Sequence, residues 1–441
     1  MVSPETKIGW RSAAALVLAN MIGTGAFTTL GLQLERLEGG LALLALWAVG
    51  GFVAWCGAVS YAELGTRLPK SGGEAHFLSE IFHPLLGFLS GWVSLTVGFA
   101  AAVALSAMAV GSYLATWTGW SPSLIAVGSI IGLSLAHSFG TKQSKWLQNG
   151  LTGLKLLVVF GLGAAGVFLP ASPEAASLNW SLASLSDVWS PGAAVAMISV
   201  FYAFSGWNAA AYIVEEIRKP KQNLPRALVL GTVVVSGLFL LLQYGFLRQA
   251  GPAALTGQID VAQIATAAMF GERAGQFVSV LIGVLLLTGI SAMIWIGPRV
   301  VRAMGDRHPI WKSFGKLTGP SRLPLRATWL QGGISLFLVA TASFEQVLLY
   351  SGFVLQLFTF LAVGGLLWLR FRGGGAADGY SSPLYPLPQL LFLGFSGWSM
   401  GYLLVNQPVE SLLGLLNVVA GLAAYYFDLG GSSSAEAARS A

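Results

Sequence analysis

Long apolar runs separated by short polar stretches organise this chain. With a window of roughly 19 residues, hydrophobic segments fall near 9–34, 40–66, 84–116, 122–138, 146–169, 192–215, 227–248, 274–301, 327–343, 346–369, 389–405 and 409–427. A helix needs about 20 apolar residues to cross a ~30 Å hydrocarbon core. The pattern therefore predicts twelve transmembrane helices, numbered one to twelve here, with three and eight long enough to tilt. The polar stretch 249–273 is too long for a tight turn and predicts a short helix at the membrane surface. The tail 429–441, which is Leu429 followed by "GGSSSAEAARSA", predicts disorder.

Composition agrees with the pattern. Of 441 residues, 55% are hydrophobic and 10% charged, and the mean hydropathy is +0.71. Soluble domains are about a quarter charged, so this is a polytopic membrane protein. The N-terminal "MVSPETKIGWRS" leads straight into segment one without a signal-peptide cleavage pattern, and segment one is expected to remain in the mature protein.

The formal charge of +6 is a topology signal rather than a mark of nucleic-acid binding. With the N-terminus in the cytoplasm, twenty of the 24 Lys and Arg residues fall on the cytoplasmic side. Only Arg36, Arg248 and Arg273 fall outside, and Lys155 lies within a segment. That asymmetry follows the positive-inside rule and places both termini in the cytoplasm. Trp10, Trp117, Trp120 and Trp146 fall at interface depth.

Cys56 is the only cysteine and sits in an apolar run. It permits no intramolecular disulfide and no thiolate metal site. His76, His83, His137 and His308 are scattered over loops and segment ends without metal-ligand spacing. No metal and no cofactor is expected.

Segments one and six are interrupted. Segment one carries Gly23-Thr24-Gly25 at its centre, and segment six carries Ser205-Gly206 between "AVAMISVFYAF" and "WNAAAYIV". A spanning segment must satisfy its own backbone, and a break survives only where protein or a water-filled cavity covers it. Paired glycine-interrupted segments in matching positions point to a transporter site. A half-helix starting near Gly25 offers free N–H groups to a carboxylate. A half-helix ending near Phe204 offers free C=O groups to an ammonium. The alternative is that these glycines merely allow close helix packing; the paired spacing favours a site.

Lys155 lies about 14 Å along segment five from Trp146. An ammonium at that depth costs at least ~2.5 kcal/mol unless paired or hydrated. It is a functional candidate, with snorkelling to the interface as the alternative. Glu63 with Arg67 and Lys70, and Glu215 and Glu216 with Arg218, Lys219 and Lys221, suggest either a cytoplasmic gate of ion pairs or ordinary loop salt bridges.

The stretches "MIGTGAF", "SYAELGTRLPKSGGEAHFL", "FYAFSGWNAAAYIVEEIRKPKQNLPRA" and "ISAMIWIGPRVVRAMGDRH" resemble amino acid permeases of the amino acid–polyamine–organocation superfamily. The L-type neutral amino acid transporters and their bacterial relatives are the most similar branch. The resemblance covers most of the chain. It implies an all-α leucine-transporter fold with a 5+5 inverted repeat: helices one to five within 1–170, six to ten within 191–372, and two more within 388–428. It places Met21, Gly23, Thr24 and Gly25 at the substrate carboxylate. It places Tyr202, Ala203, Phe204 and Ser205 at the amino group, with Phe204 as an outer lid and Trp207 and Asn208 just beyond the break. It implies that Lys155 stands where sodium-coupled relatives bind a second sodium, with Ser291 as a segment-eight neighbour.

The expectation is a sodium-independent secondary transporter of neutral amino acids in the plasma (inner) membrane, working by exchange or proton coupling. Its partners are an amino acid and the bilayer. Some L-type relatives join a glycoprotein through a cysteine after helix three; "TWTGWSP" has none here, so no disulfide-linked partner is expected. An intramembrane enzyme would need a deep nucleophile–base pair, and Lys155 is the only deep titratable group besides tyrosines. A channel would need a continuous pore. A non-transporting sensor on the same fold is the remaining alternative, separable by flux.

Overall fold

A computed structural model describes residues 7–139, 145–173, 175, 178–305, 308–318, 323–373 and 379–440; at 145–149, 303, 309–310 and 429–440 the description is of backbone only. Lys142, Arg307 and Arg322 lie outside the described residues, as do the side chains of Lys145, Trp146 and Arg439. Helices and isolated β-bridges make up the regular structure of the described residues.

Nine helices are long and apolar enough to cross a membrane among the described residues. They coincide with segments one, two, three, five, six, seven, eight, ten and twelve. The other three segments are the helices Pro122–Ser138, Leu325–Thr341 and Leu387–Asn406, of 17, 17 and 20 residues. Sequence-local devices set many of the boundaries. Ser121 and Ser190 accept the first free N–H groups ahead of Pro122 and Pro191, and Ser343 and Gln346 form a reciprocal cap for Phe344–Phe371.

Segment three is a helix with an internal change of pitch. Pro84–Val93 and Ala102–Thr118 are α-helical, and Ser94–Ala101 between them is a π-helix. The predicted surface stretch holds two helices, Pro252–Leu255 and Val261–Phe270. The last helix runs Pro408–Ser440, so helical backbone continues past Asp428 into the tail where the sequence predicts disorder.

Packing follows a numerical pattern. Segment two lies against seven, three against eight, four against nine, and the two halves of one against the two halves of six. Segment seven also packs on five, and segments eleven and twelve cover ten. The contacts place one, two, six and seven in one group and three, four, eight and nine in another. At one end a two-way backbone clasp joins segments one and six. The Ile8 N–H donates to Glu216 O at 2.9 Å and the Arg218 N–H donates to Ile8 O at 2.9 Å.

Candidate functional site

Segment one breaks where its glycines stand. The Trp10–Met21 helix stops, and a second begins at Gly25 and runs to Leu34. The Ile22 and Gly23 N–H groups fold back onto Leu18 O and Met21 O. Thr24 is the N-cap residue but its side chain makes no capping bond. Among the described residues, the N–H groups of Thr24, Gly25 and Ala26 have no partner. Thr28 and Thr29 donate their hydroxyls to the carbonyls of Thr24 and Gly25, each at 2.8 Å. The acceptors of this turn are thereby occupied while its donors remain open. Ten helical residues stand behind those donors, and their dipoles add positive potential there.

Segment six gives the complementary end. Pro191–Phe204 stops at Phe204, and Ala209–Glu216 resumes as a 3-10 helix. Ser205 is extended and Gly206 has φ +97°, a turn that a side chain would strain. Among the described residues, the carbonyls of Ala203 and Phe204 accept no hydrogen bond. They carry the negative end of a 14-residue helix.

The two breaks touch. A Cβ on Gly25 would lie 2.5 Å from the Ala203 Cα, and one on Gly206 would lie 2.9 Å from the Asn20 carbonyl carbon. The Thr24 and Tyr202 side chains hydrogen-bond. At Gly23, by contrast, an added Cβ meets nothing within 4 Å. The structure brings the eight expected substrate residues around one junction: Met21, Thr24, Gly25, Tyr202, Ala203 and Phe204 are buried, and Ser205 and Gly23, the latter beside open space, are half-buried. Phe204 packs on Trp47 and Phe239, with ring centroids 5.9 and 5.2 Å away. Trp207, just past the break, sits edge-on to Tyr61 at 4.8 Å.

A frame of buried amides and hydroxyls holds the Gly25–Leu34 helix, and the sequence reading missed it. Gln243 donates to Ala26 O at 2.9 Å and Tyr113 donates to Phe27 O at 2.8 Å. Gln33 accepts from the Trp47 indole at 2.7 Å and donates to Ser199 Oγ at 3.1 Å. Each such bond is worth about 0.6 kcal/mol inside a membrane protein, and together they fix the half-helix to segments two, three, six and seven. Their signal in the sequence is a glutamine in each of two apolar segments, Gln33 and Gln243.

Lys155 and Ser291 do not meet. The Lys155 ammonium comes beside Gly289 of segment eight, 3.8 Å from where a Cβ would be. Among the described residues it has no hydrogen bond or ion pair. Ser291 pairs instead with His137 of segment four, Oγ to Nε2 at 2.8 Å. His137, expected only at a segment end, is buried.

The acidic groups near the helix ends have fixed partners. Glu63 is fully buried and accepts from Arg67 Nε at 2.7 Å, from Arg370 Nε at 2.7 Å and Nη2 at 2.6 Å, and from the Ser382 N–H at 2.8 Å. It ties segment two to ten and to the stretch before eleven. Glu215 accepts from the Ser71 N–H at 3.0 Å and forms no ion pair among the described residues. At the other end Arg36 pairs with Glu345. No group of three His, Cys, Asp or Glu side chains forms a metal cage among the described residues, and Cys56 is buried and unpaired as a thiol.

Comparison with known proteins places this geometry in a family. The family model described as amino acid permease matches residues 8–421. The chain is 27% identical over 436 residues to the serine/threonine exchanger SteT of Bacillus subtilis (strain 168), covering 96% of both chains. It is 25% identical over 437 residues to the mouse b(0,+)-type amino acid transporter 1, covering 96% of this chain and 88% of that one. It is 27% identical over 449 residues to the human large neutral amino acids transporter small subunit 2, covering 96% and 81%. These relatives are transporters and exchangers rather than enzymes. The chain is an integral membrane protein and belongs to the amino acid permease family, near the L-type branch and its bacterial relatives.

Proposed function

We propose that this protein is a sodium-independent secondary transporter of neutral L-amino acids that works by alternating access, either as an exchanger or as a proton-coupled symporter. The paired breaks carry the reading. Unpartnered N–H groups at Thr24–Ala26 and unpartnered carbonyls at Ala203 and Phe204 lie at the contact between the two breaks, beside the open space at Gly23. That arrangement suits a zwitterion: carboxylate to the N–H groups, ammonium to the carbonyls. Met21, Gly23, Thr24 and Gly25 take the carboxylate; Tyr202, Ala203, Phe204 and Ser205 take the ammonium and cover the substrate. The groups that face the junction are amides, hydroxyls and small or aromatic side chains, which favours a neutral substrate. The names of two relatives, a serine/threonine exchanger and a large neutral amino acid transporter subunit, support the same class.

In this reading all twelve segments span the inner membrane with both termini cytoplasmic. The pairing of one with six, two with seven, three with eight and four with nine supports the inverted repeat, with segments one, two, six and seven rocking against the rest. The Lys155 ammonium beside segment eight supports a fixed charge in place of a sodium ion.

Uptake by proteoliposomes over a panel of amino acids tests the proposal. Neutral amino acids are expected to enter at the same rate in sodium and in choline. Stimulation by internal substrate identifies exchange, and stimulation by an inward proton gradient identifies symport. Sodium-dependent uptake overturns the assignment of Lys155, and binding without flux overturns transport.

A further inference from the structure

Glu74 opens the Glu74–Ile81 helix in the loop after segment two, and it is 4% exposed. Its Oε1 accepts from the Tyr61 hydroxyl at 2.8 Å and from the Asn208 side-chain amide, and its Oε2 accepts from the Tyr212 hydroxyl. No cation stands within ion-pair distance among the described residues. A buried carboxylate without a counter-ion is expensive unless donors replace its water, and here three do. All three can donate to the carboxylate oxygens.

Two of the donors lie just past the break in segment six. Asn208 precedes and Tyr212 lies within the 3-10 stretch Ala209–Glu216, a helix type with poor internal hydrogen bonding that needs outside support. The same stretch is held to the loop by its backbone: the Gly72 N–H donates to Tyr212 O at 3.1 Å, and Glu215 N–H donates to Ser71 Oγ at 3.2 Å. The Tyr212 ring lies where a Gly73 side chain would be. The loop, segment two and the inner half of segment six therefore converge on one carboxylate.

We infer that Glu74 is a positioning residue of the transport cycle. Its carboxylate latches the inner half of segment six in the closed position, and releases Asn208 and Tyr212 when the site opens to the cytoplasm. The inference rests on the alternating-access reading, and its first readout, thiol labelling, needs no substrate. In a Cys56→Ala background, Ala211→Cys places a single reporter thiol on the latched stretch at a position that is 0% exposed. A membrane-impermeant maleimide is applied to the cytoplasmic face of inside-out vesicles. Glu74→Ala is expected to raise the labelling rate about tenfold, the effect of a population shift of one decade. Glu74→Gln, which keeps one acceptor oxygen, raises it less, and Tyr212→Phe raises it in a way that is not additive with Glu74→Ala. For Glu74→Gln, the KM measured from the two faces moves in opposite directions. Should Glu74→Ala fail to fold by gel filtration, the Gln and Phe variants decide. Unchanged or slower labelling in those folded variants overturns the latch. Unchanged labelling alongside normal uptake sinks the latch alone, whereas faster labelling without any uptake sinks the transport reading alone.

Discussion

Two glycines two positions apart in the same break, Gly23 and Gly25, predict opposite behaviour. A methyl at Gly25 would sit 2.5 Å from the Ala203 Cα and 2.7 Å from its Cβ. Carbons in contact stand about 3.5–4.0 Å apart, so the two half-helices would have to separate by about 1 Å against backbone atoms. Overpacking of that kind costs about 1–3 kcal/mol, which appears in the free protein as a lower Tm. A methyl at Gly23 meets no atom within 4 Å, so Gly23→Ala leaves the Tm unchanged. It does intrude on the space assigned to the substrate carboxylate. There the same ~1–3 kcal/mol falls on the complex alone and raises Kd about 5- to 150-fold. Thermal unfolding in detergent, paired with equilibrium binding of a radiolabelled neutral amino acid, separates the two variants. Wild-type affinity in Gly23→Ala would remove the junction as the binding site. A Tm loss in Gly23→Ala matching that of Gly25→Ala would remove the steric account.

Other outcomes follow from the same geometry. Gly206→Ala places a side chain at φ +97° and 2.9 Å from the Asn20 backbone, and should lower stability by about 2 kcal/mol or more; an unaltered melting curve would contradict this. Lys155→Met removes an ammonium whose burial costs at least ~2.5 kcal/mol when unpaired, so the protein should be no less stable while uptake or its pH response is lost; normal uptake would return Lys155 to a passive role. Glu63→Ala removes the buried carboxylate to which Arg67 and Arg370 both donate and should destabilise by about 3–5 kcal/mol, with Glu63→Gln milder, both read by thermal unfolding.

The breaks were legible because they are local. Glycine-containing interruptions at matching places in two apolar runs point to paired breaks, and the helices stop at Phe204 and restart at Gly25. What joins distant segments was not legible. Glu63 and Arg370 are 307 positions apart, and nothing in either neighbourhood names the other. The resemblance implies Ser291 as a segment-eight neighbour of Lys155, whereas in the structure Ser291 hydrogen-bonds His137. Glu74 reads in sequence as an ordinary acid in a helix's first turn, and only the fold supplies Tyr61, Asn208 and Tyr212. The π-helix at Ser94–Ala101 has an unremarkable alanine- and glycine-containing sequence, because its pitch is set by packing on segments eight and nine rather than by propensity.

The clasp between Ile8 and residues 216–218 is made wholly of main-chain atoms. Its strength is therefore nearly blind to which side chains stand there. An alanine scan across these positions would register changes in packing and pass over the hydrogen bonds themselves. Drift in the N-terminal sequence leaves this seal intact as long as position 8 keeps its N–H, and position 218 its own. Proline is the one natural residue that can cut either strand of it. A family in which this closure is preserved could thus look variable here, with the constraint written only as the absence of proline.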